Sequence, residues 1–317
     1  MRLQEICKQR WGARMKPIVK KVLLGATFVL GSTVAGVGIY AASKVSAFDA
    51  SMDHVYDIPV PSVARSSEPS VLARGKHLVE SIGACATADC HGTDLGGGKT
   101  LQMGPLGTLS GPNLSNGLLT AYSDGELARL LQYGIKRDGR GVRLMPVQEI
   151  NWLPDADVVA MVSYLRTVPP VDRPNGPMVV KPLAKILDRR DEIVFDVARR
   201  TSAAKREIAP APSATAEYGR FMAKLCSGCH GEHLSGGRIP GAPPSLPIPS
   251  NITPHETGLK GWTYDDFLTL LNTGRRKNGL ALNPFMPYEA WSKFDDAEKK
   301  ALWAYLQSVP PLPFGGR

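Results

Sequence analysis

The chain has 317 residues, enough for two or three compact units that each bury a core. Its net charge is +9, but most of the excess comes from Arg2, Lys8, Arg10, Arg14, Lys16, Lys20 and Lys21 in residues 1–21, set against Glu5 alone. A basic balance confined to one tail gives no footing for nucleic-acid binding.

Val22 to Ala42 is an uncharged run rich in Val, Leu, Ala and Gly. About 20 apolar helical residues match the hydrocarbon thickness of a bilayer. The preceding basic residues then place 1–21 as a cytoplasmic tail, with everything after Ala42 on the outer, periplasmic side of a bacterial inner membrane. A cleaved signal peptide is the other reading, with Val45-Ser46-Ala47 as a processing site. Residues 43–70 follow as a tether.

The next features carry chemistry. Cys226-Ser227-Gly228-Cys229-His230 has two thiols three positions apart and an imidazole immediately after. That pattern suits covalent attachment of haem c, the thiols adding to the two vinyl groups and the histidine standing beneath the iron. A looser copy lies upstream at Cys85-Ala86-Thr87-Ala88-Asp89-Cys90-His91. Its two extra residues require an irregular turn to bring both sulfurs to the vinyl positions, so attachment through one sulfur stays open. A disulfide, or a zinc site completed by His233 and His255, is the competing use of the cysteines. Of the five cysteines only Cys7, in the tail, is left over.

The sequence repeats itself with a period of about 140 residues. Arg74-Gly75-Lys76 pairs with Tyr218-Gly219-Arg220, and Pro112-Asn113-Leu114-Ser115 with Ser250-Asn251-Ile252-Thr253. Leu144-Met145-Pro146 pairs with Phe285-Met286-Pro287, 54 residues after His91 and 56 after His230. Each methionine precedes a proline, which favours an extended loop presenting a thioether across the haem. Met145 and Met286 are therefore the expected distal ligands. Met103, His77 and Met161 compete in the first copy; His233, His255 and Met222 compete in the second.

The elements read as helical. Leu72–Ile82 and Ala216–Leu225 lead into the attachment sites. Ser123 and Thr263 are N-caps completed by Glu126 and Asp266, and Gly134 and Gly274 end the same helices. Asp155–Thr167 and Asp295–Ser308 form the last helices, each stopped by a Pro-Pro pair. Residues 171–213 form a linker in which Leu183, Ile186, Leu187, Val194 and Val197 predict one amphipathic helix. No stretch alternates strongly enough to predict a strand. Arg137, Arg140 and Arg143, and opposite them Arg275, Arg276 and Lys277, suit haem propionates, a docking face or a solvated loop. Trp152, Trp262, Trp291 and Trp303 read as core or haem-packing aromatics.

Taken together these residues resemble the class I c-type cytochromes over roughly 70–170 and 215–312. The tandem arrangement and membrane helix resemble the cytochrome c subunits of membrane-bound bacterial dehydrogenases that oxidise alcohols or gluconate, although those subunits often carry three haem domains against two here. The resemblance implies a mainly α chain with two tandem haem domains, 71–170 and 214–317, behind a transmembrane helix. It implies two covalent haem c groups on Cys85, Cys90, Cys226 and Cys229, with His91 and His230 proximal and Met145 and Met286 distal. A thioether closing the sixth position favours the ferrous state and leaves no open site for substrate. The expected role is single-electron transfer from a dehydrogenase or quinol-oxidising complex to a terminal oxidase or soluble cytochrome. A dihaem enzyme, such as a peroxidase or thiosulfate-oxidising cytochrome, is the alternative and would need one displaceable ligand.

Overall fold

A computed structural model describes residues 17–115, 119–202, 205–240, 242 and 246–317; Cys7 and the basic residues up to Lys16 lie outside the described residues. Helix α1 spans Pro17–Asp53, running well past the apolar segment. From Val22 to Tyr40 its large apolar side chains are bare: Phe28 is 76% and Ile39 72% exposed, which water penalises and hydrocarbon does not. Among the described residues one helix, Lys20–Asp53, is long and apolar enough to cross a membrane.

Residues from Phe48 onward fold into one unit. The stretch expected as a tether is strapped to this unit: Tyr56 N–H donates to Gly139 O at 2.9 Å, Arg129 donates to Ile58 O at 3.1 Å and Arg65 pairs with Asp124 at 2.8 Å. Helix α2 follows, Pro69–Glu80, started by proline where its missing N–H costs nothing.

The expectation of no strand is corrected by a small antiparallel sheet. Strands β1 (Leu101–Gln102) and β2 (Gly107–Leu109) form a hairpin in the first copy. Helix α3 spans Asp124–Tyr133 and α4 spans Asp155–Leu165. Strand β3, Val179–Val180, comes from the linker and adds to β2 with Thr108 opposite Val179. Strands of two or three residues are too short to show alternation, so composition could not reveal them.

The single linker helix is also corrected. Helix α5 covers Pro182–Asp188 and stops because the buried Asp188 carboxylate accepts the backbone N–H groups of Phe195 and Asp196, at 2.7 and 3.0 Å. The chain turns there, and α6 covers only Ala198–Thr201. Val194 and Val197 belong to the turn.

Helices α7 (Ala216–Met222) and α8 (Lys224–His230) carry the second attachment motif; α9 (Tyr264–Thr273) and α10 (Asp296–Ser308) complete that half. Both expected capping boxes form, Ser123 with Glu126 and Thr263 with Asp266. Gly134 and Gly274 end their helices in the left-handed conformation, at φ 68° and 65°, as glycine permits.

The two halves share one apolar core. Trp152, fully buried, packs edge-on to Tyr218 and against Phe221. Glu298, also fully buried, accepts from His77 Nε2 at 2.9 Å and pairs with Arg74 at 3.4 Å. Trp152 is thus a junction residue between the halves.

Candidate functional site

Each half encloses an apolar cavity with one histidine and the expected methionine in its wall; the first wall also holds Met52 and Met178. The first, of about 430 Å³, is lined by Cys85, His91, Leu127, Leu131 and Met145. The second, of about 260 Å³, is lined by Cys229, His230, Leu259, Trp262, Trp291 and Met286. Cys90 and Cys226 stand beside these walls in the same two motifs.

The histidines are held identically. His91 Nδ1–H donates to Pro112 O at 2.9 Å, and His230 Nδ1–H donates to Ser250 O at 2.7 Å. Burial pushes both imidazoles below the ordinary histidine pKa, against the opposing pull of those carbonyls. A neutral ring with Nδ1 occupied keeps its Nε2 lone pair for a metal. The accepting carbonyls lie in the paired segments Pro112-Asn113 and Ser250-Asn251, so their role was visible only as an echo.

The backbone around each histidine repeats bond for bond. Gly97 N–H donates to His91 O at 2.8 Å and Gly236 N–H to His230 O at 2.9 Å. Gly98 N–H reaches Gly111 O and Gly237 N–H reaches Pro249 O, both at 3.0 Å. Leu95 and Leu234 adopt the same positive φ, 57° and 59°.

The attachment motifs differ locally, as their spacing predicts. Cys226 to His230 occupy one helical turn in α8. Cys85 to His91 form irregular turns: His91 N–H donates to Cys85 O at 3.1 Å, and Gly92 N–H closes back on Thr87 O at 2.9 Å. The extra residues loop out while the histidine stays tied to the first cysteine. Burial pushes the Cys85 and Cys226 thiols up to about 12, so both stay protonated.

Met145 and Met286 line the cavities that hold His91 and His230. Their carbonyls accept from Val147 N–H at 2.7 Å and Tyr288 N–H at 2.8 Å. The competing residues are used elsewhere. Met161 and Met222 are fully buried in the core, and Met103 packs on the small cluster around Phe48 and Leu106. His77 binds Glu298, His255 binds Thr257 and His233 is exposed.

Of the basic loop residues, Arg143 lines the first cavity and Arg276 the second. Arg137 instead donates to Ala121 O, Arg140 stands near Asp53, Arg275 donates to Gly279 O and Lys277 pairs with Asp266. Lys136, which the sequence reading passed over, lines the first cavity; it follows Gly134 by two positions as Arg276 follows Gly274. Among the tryptophans, Trp303 packs on Phe267 rather than lining its cavity.

An apolar cavity lined by a neutral imidazole, a thioether and a cysteine fits a covalently attached haem. Residues 218–310 match the cytochrome c family: the second half carries a cytochrome c domain, and such a domain implies covalently bound haem c and one-electron transfer. The chain is 27% identical over 277 residues to the cytochrome c subunit of alcohol dehydrogenase (quinone) from Gluconobacter oxydans, covering 80% of this chain and 57% of that protein. It is 34% identical over 110 residues to the gluconate 2-dehydrogenase cytochrome c subunit of Pantoea cypripedii, covering 32% of this chain and 25% of that one. It is 33% identical over 108 residues to the fructose dehydrogenase cytochrome subunit of Gluconobacter japonicus, covering 32% and 22%. The chain therefore spans little more than half of the first relative and a quarter or less of the other two.

Proposed function

We propose that the chain is a membrane-anchored dihaem c-type cytochrome that passes single electrons from a dehydrogenase or quinol-oxidising complex to a terminal oxidase or soluble cytochrome. The observation that carries this is the matched hydrogen-bond frame around His91 and His230. A frame that fixes one imidazole within residues 218–310 recurs in the first half.

Cys226 and Cys229 hold one haem c, and Cys85 and Cys90 hold the other. When bound, each group supplies an iron that cycles by one electron. His91 and His230 stay neutral and oriented through their carbonyl partners, and Met145 and Met286, which line the same cavities, would supply the thioethers. Leu127, Leu131 and Trp291 keep water from the slots, so little solvent reorganises when charge changes. Arg143, Lys136 and Arg276 suit the propionates. A thioether available in both cavities supports a carrier over an enzyme with a vacant iron.

The bare apolar helix supports a retained anchor, and the basic residues before it support a cytoplasmic N-terminus with periplasmic haem domains. The relatives are subunits of alcohol, gluconate and fructose dehydrogenases, which supports a dehydrogenase as donor. The test is haem stoichiometry on the full chain purified from membranes. Intact mass and pyridine haemochrome absorbance are expected to give two covalent haems per chain; one or none overturns the proposal.

A further inference from the structure

The first methionine loop runs straight into the second attachment motif. Just after Met145-Pro146 the chain makes a tight turn, Val147–Glu149. Its last residue is fixed by Trp152, whose indole Nε1–H donates to Glu149 O. Helix α8 packs on this turn. The contact is intimate: a Cβ on Gly228 would lie 2.3 Å from Glu149 Oε1. Gly228 is the middle of Cys226-Ser227-Gly228-Cys229, so a carboxylate belonging to the first half lies against the second attachment motif. Its charge also reaches the first motif, for it raises the Cys90 thiol as well as Cys226 and Cys229, in each case behind burial.

Among the described residues no basic side chain pairs with Glu149. The charged groups on the elements around the turn are engaged elsewhere. From α3, Arg129 donates to the carbonyls of Ile58 and Lys136. From α6, Arg199 and Arg200 bind Asp191. From α8, Lys224 binds Glu207, while His230 is neutral and donates to Ser250 O. Arg317 donates to Cys229 O at 2.8 Å, and Asp89 beside Cys90 adds a further negative charge.

We propose that Glu149 is a shared electrostatic control for both haems, a single carboxyl at the junction of the two attachment motifs that takes up a proton when either iron is reduced and returns it on oxidation. This rests on the dihaem reading above. The balance is simple: the redox partner supplies the electron, solvent supplies the proton, and the carboxylate becomes a carboxylic acid without any other bond changing. An added electron removes one positive charge from an iron near the carboxylate, so the protonated form gains. Burial already raises this carboxyl to about 8, which brings the exchange into an accessible pH range.

The test is potentiometry of both haems in the full chain across about pH 6 to pH 10, with haem content measured on the same sample. Wild type is expected to show both midpoint potentials falling as pH rises through the region near 8. Glu149→Gln is expected to keep both at the wild-type low-pH values throughout, and Glu149→Asp to restore a slope. Electrochemical reduction of wild type in weak buffer is expected to take up protons near pH 8 and not near pH 5.5, a readout that needs no variant. Fewer than two haems per chain overturns the dihaem reading itself. With two haems present, flat wild-type potentials, an unchanged slope in Glu149→Gln, movement of one haem alone, or no proton uptake overturns the role of Glu149.

Discussion

Gly75 and Gly219 make the same contact in the two halves. A Cβ on either would stand 2.0 Å from a helix carbonyl, that of Ala160 facing Gly75 and that of Ala301 facing Gly219. Backbone meets backbone where α2 crosses α4 and where α7 crosses α10, and a carbonyl cannot swing aside as a side chain can. Gly75→Ala and Gly219→Ala should therefore each force the crossing apart and cost about 1–3 kcal/mol or more. Urea unfolding followed by circular dichroism checks this; wild-type midpoints in both variants would contradict the close crossing.

Met145→Ala and Met286→Ala should each remove one haem's share of the weak red-edge absorption that marks thioether coordination of ferric iron. Met103→Leu should leave that band whole, because Met103 packs on the cluster around Phe48 and Leu106. A full band in either alanine variant would assign the distal position to another side chain.

The capping boxes offer a smaller and symmetric test. Ser123 Oγ accepts Glu126 N–H and Thr263 Oγ1 accepts Asp266 N–H, both at 3.2 Å. Ser123→Ala and Thr263→Ala should each cost about 1 kcal/mol, read as a lowered thermal midpoint with haem content unchanged.

Arg74 and His77 both face the fully buried Glu298 across the junction of the halves. Replacing either by alanine strips a partner from a carboxylate that water does not reach. His77→Ala leaves Arg74 on the carboxylate and should destabilise by about 1–3 kcal/mol, and adding Glu298→Gln should recover part of that loss. Chemical denaturation of the single and double variants measures the coupling.

Stability should also depend on Glu149. Its folded-state pKa of about 8 stands above the ordinary carboxyl value of 4.5, so the native chain holds this proton where the unfolded chain has released it. Native stability should fall as pH climbs from about 5 and level off beyond about 8. Glu149→Gln should flatten that decline, which denaturant midpoints at several pH values would record. An identical decline in the variant would assign it to other groups.

Much of the arrangement was readable from residues that act locally. Capping boxes, helix-ending glycines and the Cys-His adjacency depend on neighbours a few positions away, and each appears in the fold where its spacing placed it. The two methionines stood out by their matched offsets, and both line the cavities that hold His91 and His230. What stayed hidden depends on partners distant in sequence. Glu149 carries no local mark, because its setting is made by Gly228, Trp152 and Cys90. Strand β3 was invisible because two valines show no period until β2 lies beside them. The break after Asp188 depends on backbone groups seven and eight residues further on, whereas an apolar stripe suggested one continuous helix. Trp152 read as a core or haem-packing aromatic and is buried in the core; its place at the junction stayed hidden, since Tyr218 and Phe221 come from the other half.

Through Trp152, which meets Tyr218 and Phe221 from the other half, the walls of the two cavities are continuous with one core. Under the dihaem proposal, the separation of the two groups would be set by that packing.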